Sequence, residues 1–162
     1  MSQRPVVMGK KTASKNVDPI TLYNFTFPAE QLAVRTALAD IRTALEQALL
    51  DADLVGRVES ALAELFNNIV KHAYANQGSG TLKCTVTKTA PGVVVNVIDR
   101  GKAMPGHTLP DGDLPNLEVG FSDLPEGGFG WFIIKSQTDG LSYERVGADN
   151  YTQLVFEVRR NA

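Results

Sequence analysis

Cysteine is almost absent from this sequence, because Cys84 is the only one in 162 residues. A single thiol cannot form an internal disulfide, so a chain of this length must rely on its apolar core. Long apolar runs are also lacking: no window approaches the roughly eighteen apolar residues of a membrane span, and the N-terminal stretch contains no secretion-type apolar segment. We therefore expect a cytoplasmic protein with no signal peptide and no membrane anchor.

Strong charge of either sign is missing as well. The net charge is −2, and acidic and basic residues are interspersed along the chain. No basic stripe favours direct binding to nucleic acid, and no acidic tail favours a basic partner. Composition thus indicates a single globular domain and excludes little more.

Apolar periodicity predicts one domain over residues 19–162, preceded by a mobile tail over residues 1–18, which are polar and aperiodic. The predicted order is strand, two helices, a hairpin of two strands, a long loop, a helix and two strands. The corresponding segments are Thr21–Phe27, Ala29–Leu50, Leu54–Ala75, 81–89, 93–99, 100–128, Gly130–Asp139, 141–146 and Thr152–Arg159. This order predicts an α/β fold of the α+β two-layer kind, a mixed sheet with helices on one face.

The second predicted helix carries three polar residues in a row on one side. Glu64, Asn68 and His72 recur every four residues and so share one strip, with Asn67 beside them. A solvated helix face explains such residues in most proteins. Asparagine is a poor helix former, however, and two in mid-helix favour a site.

Two further clusters contain glycine. Asp99 ends an apolar strand and Gly101 follows it, which suits recognition of a flat ring carrying an amino group but also describes a common turn. Gly127, Gly128 and Gly130 precede the last helix, where free N–H groups would face an anion. Alternatively, these glycines form a flexible hinge.

Taken in order, the three clusters resemble the N, G1 and G2 boxes of the ATP-binding domain of gyrase, histidine kinases and MutL-type proteins (the Bergerat fold). The string Glu-x-x-x-Asn-x-x-x-His-Ala-Tyr, from Glu64 to Tyr74, is most similar to the anti-sigma factor serine kinases within that superfamily. The resemblance covers about residues 21–160.

The resemblance implies roles for the residues of the first cluster. Asn68 would coordinate Mg²⁺ through its side-chain oxygen, with phosphates and water completing the shell. Glu64 would orient or deprotonate the attacking hydroxyl beside the γ-phosphate of ATP. His72 would contact the phosphate chain.

The other two clusters would hold the rest of the nucleotide. By similarity, Asp99 reads the adenine amino group, Gly101 leaves room for the ring, and Thr152 helps to hold adenine. Gly128 and Gly130 offer N–H groups to the phosphates. The segment from about Lys102 to Glu126 is expected to form the ATP lid.

The chain departs from the family pattern twice. Ala103 replaces the last glycine expected in the G1 box, and Glu126 stands where some serine kinases have an arginine before the G2 glycines. The second departure affects kinase activity more than nucleotide binding, because it places an anion near the phosphates.

The function implied by the resemblance is an anti-sigma serine kinase. It would phosphorylate a small STAS-type antagonist, sequester a sigma factor or similar regulator, and form a homodimer through the region of the first helix. The alternative is a non-catalytic, nucleotide-dependent switch that binds a partner. The ATPase half of a histidine kinase is disfavoured, because the only histidines are His72 and His107. A domain without any nucleotide site would require three coincident motifs.

Overall fold

The helices and strands follow the predicted order in the computed structural model, which describes residues 18–76, 79–111 and 128–159. The helices are α1 (Gln31–Gln47), α2 (Ala52–Asn68) and α3 (Gly128–Gln137). The strands are β1 (Ile20–Pro28), β2 (Thr81–Lys88), β3 (Gly92–Asp99), β4 (Gly140–Val146) and β5 (Asp149–Glu157). A π-helical turn, Ile69–Ala73, continues α2, and a 3₁₀ turn spans Pro105–His107. The predicted tail falls almost wholly outside the described residues.

The five strands form one sheet in the order β1-β2-β3-β5-β4. All four pairings of these strands are antiparallel. The predicted two-layer α+β class is therefore confirmed, but the prediction of a mixed sheet is wrong, because the sheet is antiparallel throughout. The two hairpins, β2–β3 and β4–β5, are antiparallel by local connection, and the pairings of β1 with β2 and of β3 with β5 have the same sense.

The helices cover one face of the sheet, and the core lies between the two layers. Along β3, alternate valines point into this core, namely Val93, Val95 and Val97, while Asn96 faces the other way. There its Oδ1 accepts a 3.0 Å hydrogen bond from Gln153 of β5. Alternation of this kind is expected for a sheet with one packed and one solvated face. None of the helices in the described ranges is both long and apolar enough to cross a membrane.

Cys84 lies in the core at the middle of β2. Its thiol is free and its side chain is fully buried. Burial raises the pKa of Cys84 to about 12, because the thiolate has no water to solvate it. The thiol is therefore an apolar packing group at neutral pH rather than a reactive one.

Helix α2 is anchored at its start and again one turn later. Asp51 caps the N-terminus, with its side chain accepting a hydrogen bond from the Leu54 N–H at 3.1 Å.

Arg57 is 4% exposed and joins three elements. It donates to the carboxylates of Asp53 at 2.9 Å and Asp139 at 3.4 Å. It also donates to the backbone carbonyls of Gln137 at 3.2 Å and Glu157 at 2.6 Å. Arg57 thus fixes the end of α3 and the end of β5 against α2.

Candidate functional site

Glu64 and Asn68 lie against the first turn of α3. A Cβ placed on Gly130 would come within 2.9 Å of Glu64 Oε1 and 3.6 Å of Asn68 Nδ2. A side chain at position 130 would therefore require the Glu64 carboxylate, the mobile end of a flexible side chain, to shift. The structure therefore brings the predicted residues of the N and G2 boxes into one place.

The amide of Asn68 has an unusual environment. Its Nδ2 is the buried side-chain polar atom that finds no hydrogen-bond partner among the described residues. Buried polar atoms of this kind are rare in folded proteins and call for a ligand or an ordered water. Rotation of the amide exchanges its two ends, so the position can offer an N–H to a phosphate oxygen or an oxygen to a cation. The described residues contain no group of three His, Cys, Asp or Glu side chains able to hold a metal ion by themselves. A cation here would be bound mainly through phosphates and water, as suits Mg²⁺.

The N-terminus of α3 supplies the anion-binding groups. The helix begins at Gly128 and is ten residues long, so the N–H groups of its first turn, including Gly128 and Gly130, have no partner within the helix. These groups and the helix dipole favour an anion next to Glu64 and Asn68. Trp131 follows at once and is largely buried. The predicted Gly127 and Glu126 lie outside the described residues.

His72 is not aligned with Glu64 and Asn68 as a regular α-helix would place it. It lies in the π-helical turn, and its side chain is exposed. The wider turn contains more residues, which rotates positions after Asn68 relative to the strip. No hydrogen bond between described residues involves the His72 side chain. Its predicted contact with the phosphate chain stays a prediction.

The π-helical turn also meets the loop after β3. A Cβ on Gly101 would lie 2.6 Å from both the Cβ and the carbonyl oxygen of Ala73. Beside this contact, the Lys102 N–H donates to the Ala73 carbonyl at 2.8 Å. Gly101 is thus required for close backbone approach, in addition to the space for a ring that the resemblance implies. This contact joins the Glu64 and Asn68 region to the Asp99 region.

The change Gly101→Ala is expected to weaken nucleotide binding and to reduce the free energy of unfolding by about 1 to 3 kcal/mol, because the added methyl group overpacks a backbone contact. Thermal unfolding and nucleotide titration measure the two effects. Gly56→Ala is the matched control: nothing lies within 4 Å of its Cβ position in α2. We expect the control to be neutral or stabilising by up to about 1 kcal/mol. Equal behaviour of the two variants would contradict the packing role of Gly101.

Asp99 is buried at the end of β3, with 4% of its surface exposed. Its Oδ1 accepts hydrogen bonds from the Gly101 N–H at 2.9 Å and from Asn150 Nδ2 at 2.8 Å. Burial raises the pKa of Asp99, while these two hydrogen bonds and the charge of Arg145 oppose the rise. The hydrogen bonds between described residues leave Oδ2 available to a ligand.

Thr152 lies on the same face of the sheet as Asp99. Asp99 pairs with Asn150 across β3 and β5, and Thr152 follows two residues later, opposite Val97. Thr152 is buried and faces the core layer, next to the predicted base-binding carboxylate. Its role in holding adenine stays a prediction.

Four residues to which sequence reasoning gave no role hold the loop after Asp99. They are Tyr74, which ends the motif of the first box, and Tyr143, Arg145 and Asn150. Tyr74 accepts a 2.6 Å hydrogen bond from the Arg100 N–H and donates at 2.9 Å to the Thr81 carbonyl. The inward alternation of Leu141, Tyr143 and Arg145 on β4 offered one sequence clue, since an arginine on a core-facing position needs partners.

Only the first part of the predicted lid lies in the described residues. Met104 donates its N–H to the Tyr143 hydroxyl at 3.0 Å, and the 3₁₀ turn follows. Within that turn Gly106 has a φ of +67°. Ala103 is half-buried in this stretch. Residues 112–126 of the predicted lid lie outside the described residues.

Comparisons with known proteins identify the family. A family model described as a histidine kinase-like ATPase domain matches residues 27–156. The match covers most of the chain, which therefore belongs to this family, and the resemblance drawn from the three boxes is confirmed. An ATPase domain implies ATP as the ligand of the site. A search against curated proteins finds no match.

Solved structures that share the fold include the following two. The first contains the RsbU and RsbW domains of a Mycobacterium tuberculosis protein; it is 19% identical with a TM-score of 0.56, and the alignment covers 90% of this chain but 34% of that one. The second is the SiaB–SiaC complex from Pseudomonas aeruginosa, at 13% identity and a TM-score of 0.52, with coverage of 95% of this chain and 98% of the matched one. At such identities the likeness shows the fold alone. The chain spans about a third of the first structure's matched chain.

Proposed function

We propose that this protein is an anti-sigma regulator with serine kinase activity, which transfers the γ-phosphate of ATP to a serine of a small STAS-type antagonist and sequesters a sigma factor. The observation that carries the proposal is the meeting of Glu64, Asn68 and Gly130 at the N-terminus of α3. A carboxylate, an amide and free N–H groups at one point are what phosphoryl transfer from a metal-bound nucleotide requires.

The chemistry of the donor set fits ATP with Mg²⁺. Asn68 would hold the cation, which would neutralise charge on the phosphates, and Gly128 and Gly130 would bind phosphate oxygens through their N–H groups. Asp99 would accept a hydrogen bond from the adenine amino group through Oδ2. Glu64 would orient the attacking serine hydroxyl or take its proton.

Self-association through β1 and α1 belongs to the same proposal. Strand β1 is an edge strand, and none of its residues is charged. Phe25 of this strand and Leu32 of α1 are exposed. An uncharged edge strand with exposed apolar neighbours is a template for pairing with another chain, which supports the homodimer that the family resemblance implies.

Titration with ATP, followed by the fluorescence of Trp131, tests the nucleotide site. We expect saturable binding that requires Mg²⁺ and a loss of about 10- to 100-fold in affinity for Asp99→Asn. In this variant the Gly101 and Asn150 N–H groups would hold the amide oxygen, so the new NH₂ group would face the adenine amino group. Two donors cannot form a hydrogen bond with each other.

Asp149→Asn is the matched control, because Asp149 pairs with Arg100 at the surface and lies next to Asn150. We expect its ATP affinity to stay within about twofold of the wild type, as an exposed ion pair contributes little. Absence of ATP binding by the wild type, confirmed by calorimetry, would overturn the proposed function.

Phosphate transfer separates the kinase from the non-catalytic switch. The wild type with Mg²⁺-ATP and a candidate antagonist, encoded by a neighbouring gene, should yield phosphoserine on the antagonist. ATP binding without phosphoserine for every candidate antagonist would favour the switch that the sequence departure at Glu126 suggests.

A further inference from the structure

Asn150 occupies the centre of the network behind Asp99. The side chain is 2% exposed and belongs to β5, directly opposite Asp99 of β3. The two hydrogens on its Nδ2 are shared among three acceptors, namely Asp99 Oδ1 at 2.8 Å, the Gly101 carbonyl at 3.2 Å and the Lys102 carbonyl at 3.1 Å. One amide therefore contacts both the base-binding carboxylate and the backbone at the start of the lid.

The surrounding groups permit only one orientation of this amide. The Tyr143 hydroxyl accepts the Met104 N–H, so its own proton is free to donate to Asn150 Oδ1. Arg145 donates to the same oxygen at 3.1 Å, and its guanidinium group has no atom that could accept a hydrogen bond. A reversed amide would place its NH₂ group against these donors. Tyr143 and Arg145 thus hold the Asn150 NH₂ group toward Asp99.

The orientation of Asn150 determines which oxygen of Asp99 can carry a proton. Oδ1 already accepts the Gly101 and Asn150 N–H groups. A proton on Asp99 must then sit on Oδ2, the oxygen available to a base. Ionised Asp99 presents an acceptor there, and protonated Asp99 presents a donor.

We infer that Asn150 is a positioning residue for nucleobase specificity, which holds Asp99 as an acceptor for the 6-amino group of adenine and so excludes 6-oxo purines. The inference rests on the proposed function and deepens it, because it assigns the choice of base to a residue outside the three boxes. Tyr143 and Arg145 act with Asn150 by holding its amide.

The charged and titratable groups around Asp99 give the expected pH dependence. Arg145 of β4 lowers the pKa of Asp99 and Asp149 of β5 raises it through their charges, Tyr74 follows the π-helical turn, and Arg100 is the next residue in the chain. Burial already raises the pKa of Asp99, and the Asn150 hydrogen bond is the leading influence that opposes it. Loss of this hydrogen bond should raise the pKa of Asp99 further. Protonation would then begin at a higher pH, and Oδ2–H would donate to a 6-oxo group.

The test compares ATP with inosine triphosphate, which differs in carrying a 6-oxo group, from about pH 8 to about pH 5. The wild type should prefer ATP. In Asn150→Ala the preference should fall about tenfold or more, and more steeply as the pH decreases. Asn96→Ala is the matched control, since Asn96 is also a strand asparagine paired with a side chain but lies on the opposite face of the sheet. Its preference should equal that of the wild type.

A structural role alone predicts a different result: both nucleotides would weaken by the same factor at every pH in Asn150→Ala, which would overturn the inference. Failure of the wild type to bind either nucleotide would instead overturn the proposed function, and the inference with it. The two failures are therefore distinguishable.

If circular dichroism shows that Asn150→Ala does not fold, the nearly isosteric variant Asn150→Asp tests the inference instead. Its carboxyl can donate a shared proton to Asp99 Oδ1 at low pH but repels Asp99 when both are ionised. ATP binding by this variant should therefore weaken as the pH rises, unlike that of the wild type. A profile that matches the wild type at every pH would overturn the inference.

Discussion

Replacement of Glu64 by glutamine is expected to slow phosphate transfer about 10²- to 10⁴-fold, the range attributed to a positioned general base. The amide keeps the size of the carboxylate, so the contact with Gly130 is preserved. It cannot accept a proton from the serine hydroxyl. ATP affinity should stay within about threefold, because the proposed role of Glu64 concerns the attacking group rather than the nucleotide. Initial rates of phosphoserine formation and a parallel ATP titration measure the two effects.

Glu59→Gln on the same helix is the control for this experiment. Glu59 forms an ion pair with Arg42, away from α3. We expect its rate of transfer to equal that of the wild type. If Glu64→Gln transferred phosphate at the wild-type rate, Glu64 would be excluded as the base. The proposed ATP site would not be affected by that result.

The second large effect concerns stability. The change Arg57→Met should reduce the free energy of unfolding by about 3 to 5 kcal/mol, the usual cost of removing one member of a buried charged network. The carboxylate of Asp139 and the carbonyls of Gln137 and Glu157 would lose a common donor. Urea-induced unfolding measures the difference.

Arg42→Met provides the comparison, because Arg42 is half exposed and pairs with Glu46 and Glu59 on the surface. Its loss should cost less than about 1 kcal/mol. An equal decrease in the free energy of unfolding for both variants would contradict the role of Arg57 in fixing α3 and β5 against α2.

The pH dependence adds a second check on Arg57. Burial alone would raise the pKa of Asp139, but the Glu157 N–H, Arg159 and Arg57 together lower it. The corresponding stabilisation is present above the ordinary aspartate value of about 3.9 and is lost as the pH falls through the lowered value. The difference in the free energy of unfolding between the wild type and Arg57→Met should therefore become smaller in acid.

Most of the fold follows from periodicity, since long amphipathic helices and alternating strands are the patterns that local burial imposes on a sequence. The predicted helix Ala29–Leu50 contains α1, and the predicted hairpin matches β2 and β3 closely. The π-helical turn after Asn68 was not predictable in this way, because its residues have the same apolar pattern as a continuing α-helix. The position of His72 consequently differs from the predicted strip.

The site was only partly accessible to sequence reasoning for a related reason. The last strand was predicted from Thr152, because Asp149 and Asn150 are polar and typical of turns. In the structure β5 begins at Asp149, and the pairing of Asn150 with Asp99 joins residues fifty-one positions apart. Pairing across such a distance depends on sheet order, which local pattern does not specify. The residues that orient Asp99 were therefore missed while Asp99 itself was found.

Because Cys84 is buried in β2, the rate at which its thiol is labelled can report local opening of the sheet. A thiolate-specific reagent cannot reach a fully buried sulfur, and a pKa of about 12 leaves almost no thiolate at neutral pH. Labelling must then wait for β2 to separate from its neighbours, so the labelling rate measures how often this part of the sheet opens. The same rate, recorded with and without nucleotide, would reveal whether ligand bound at the end of β3 restrains the middle of β2, without any introduced probe.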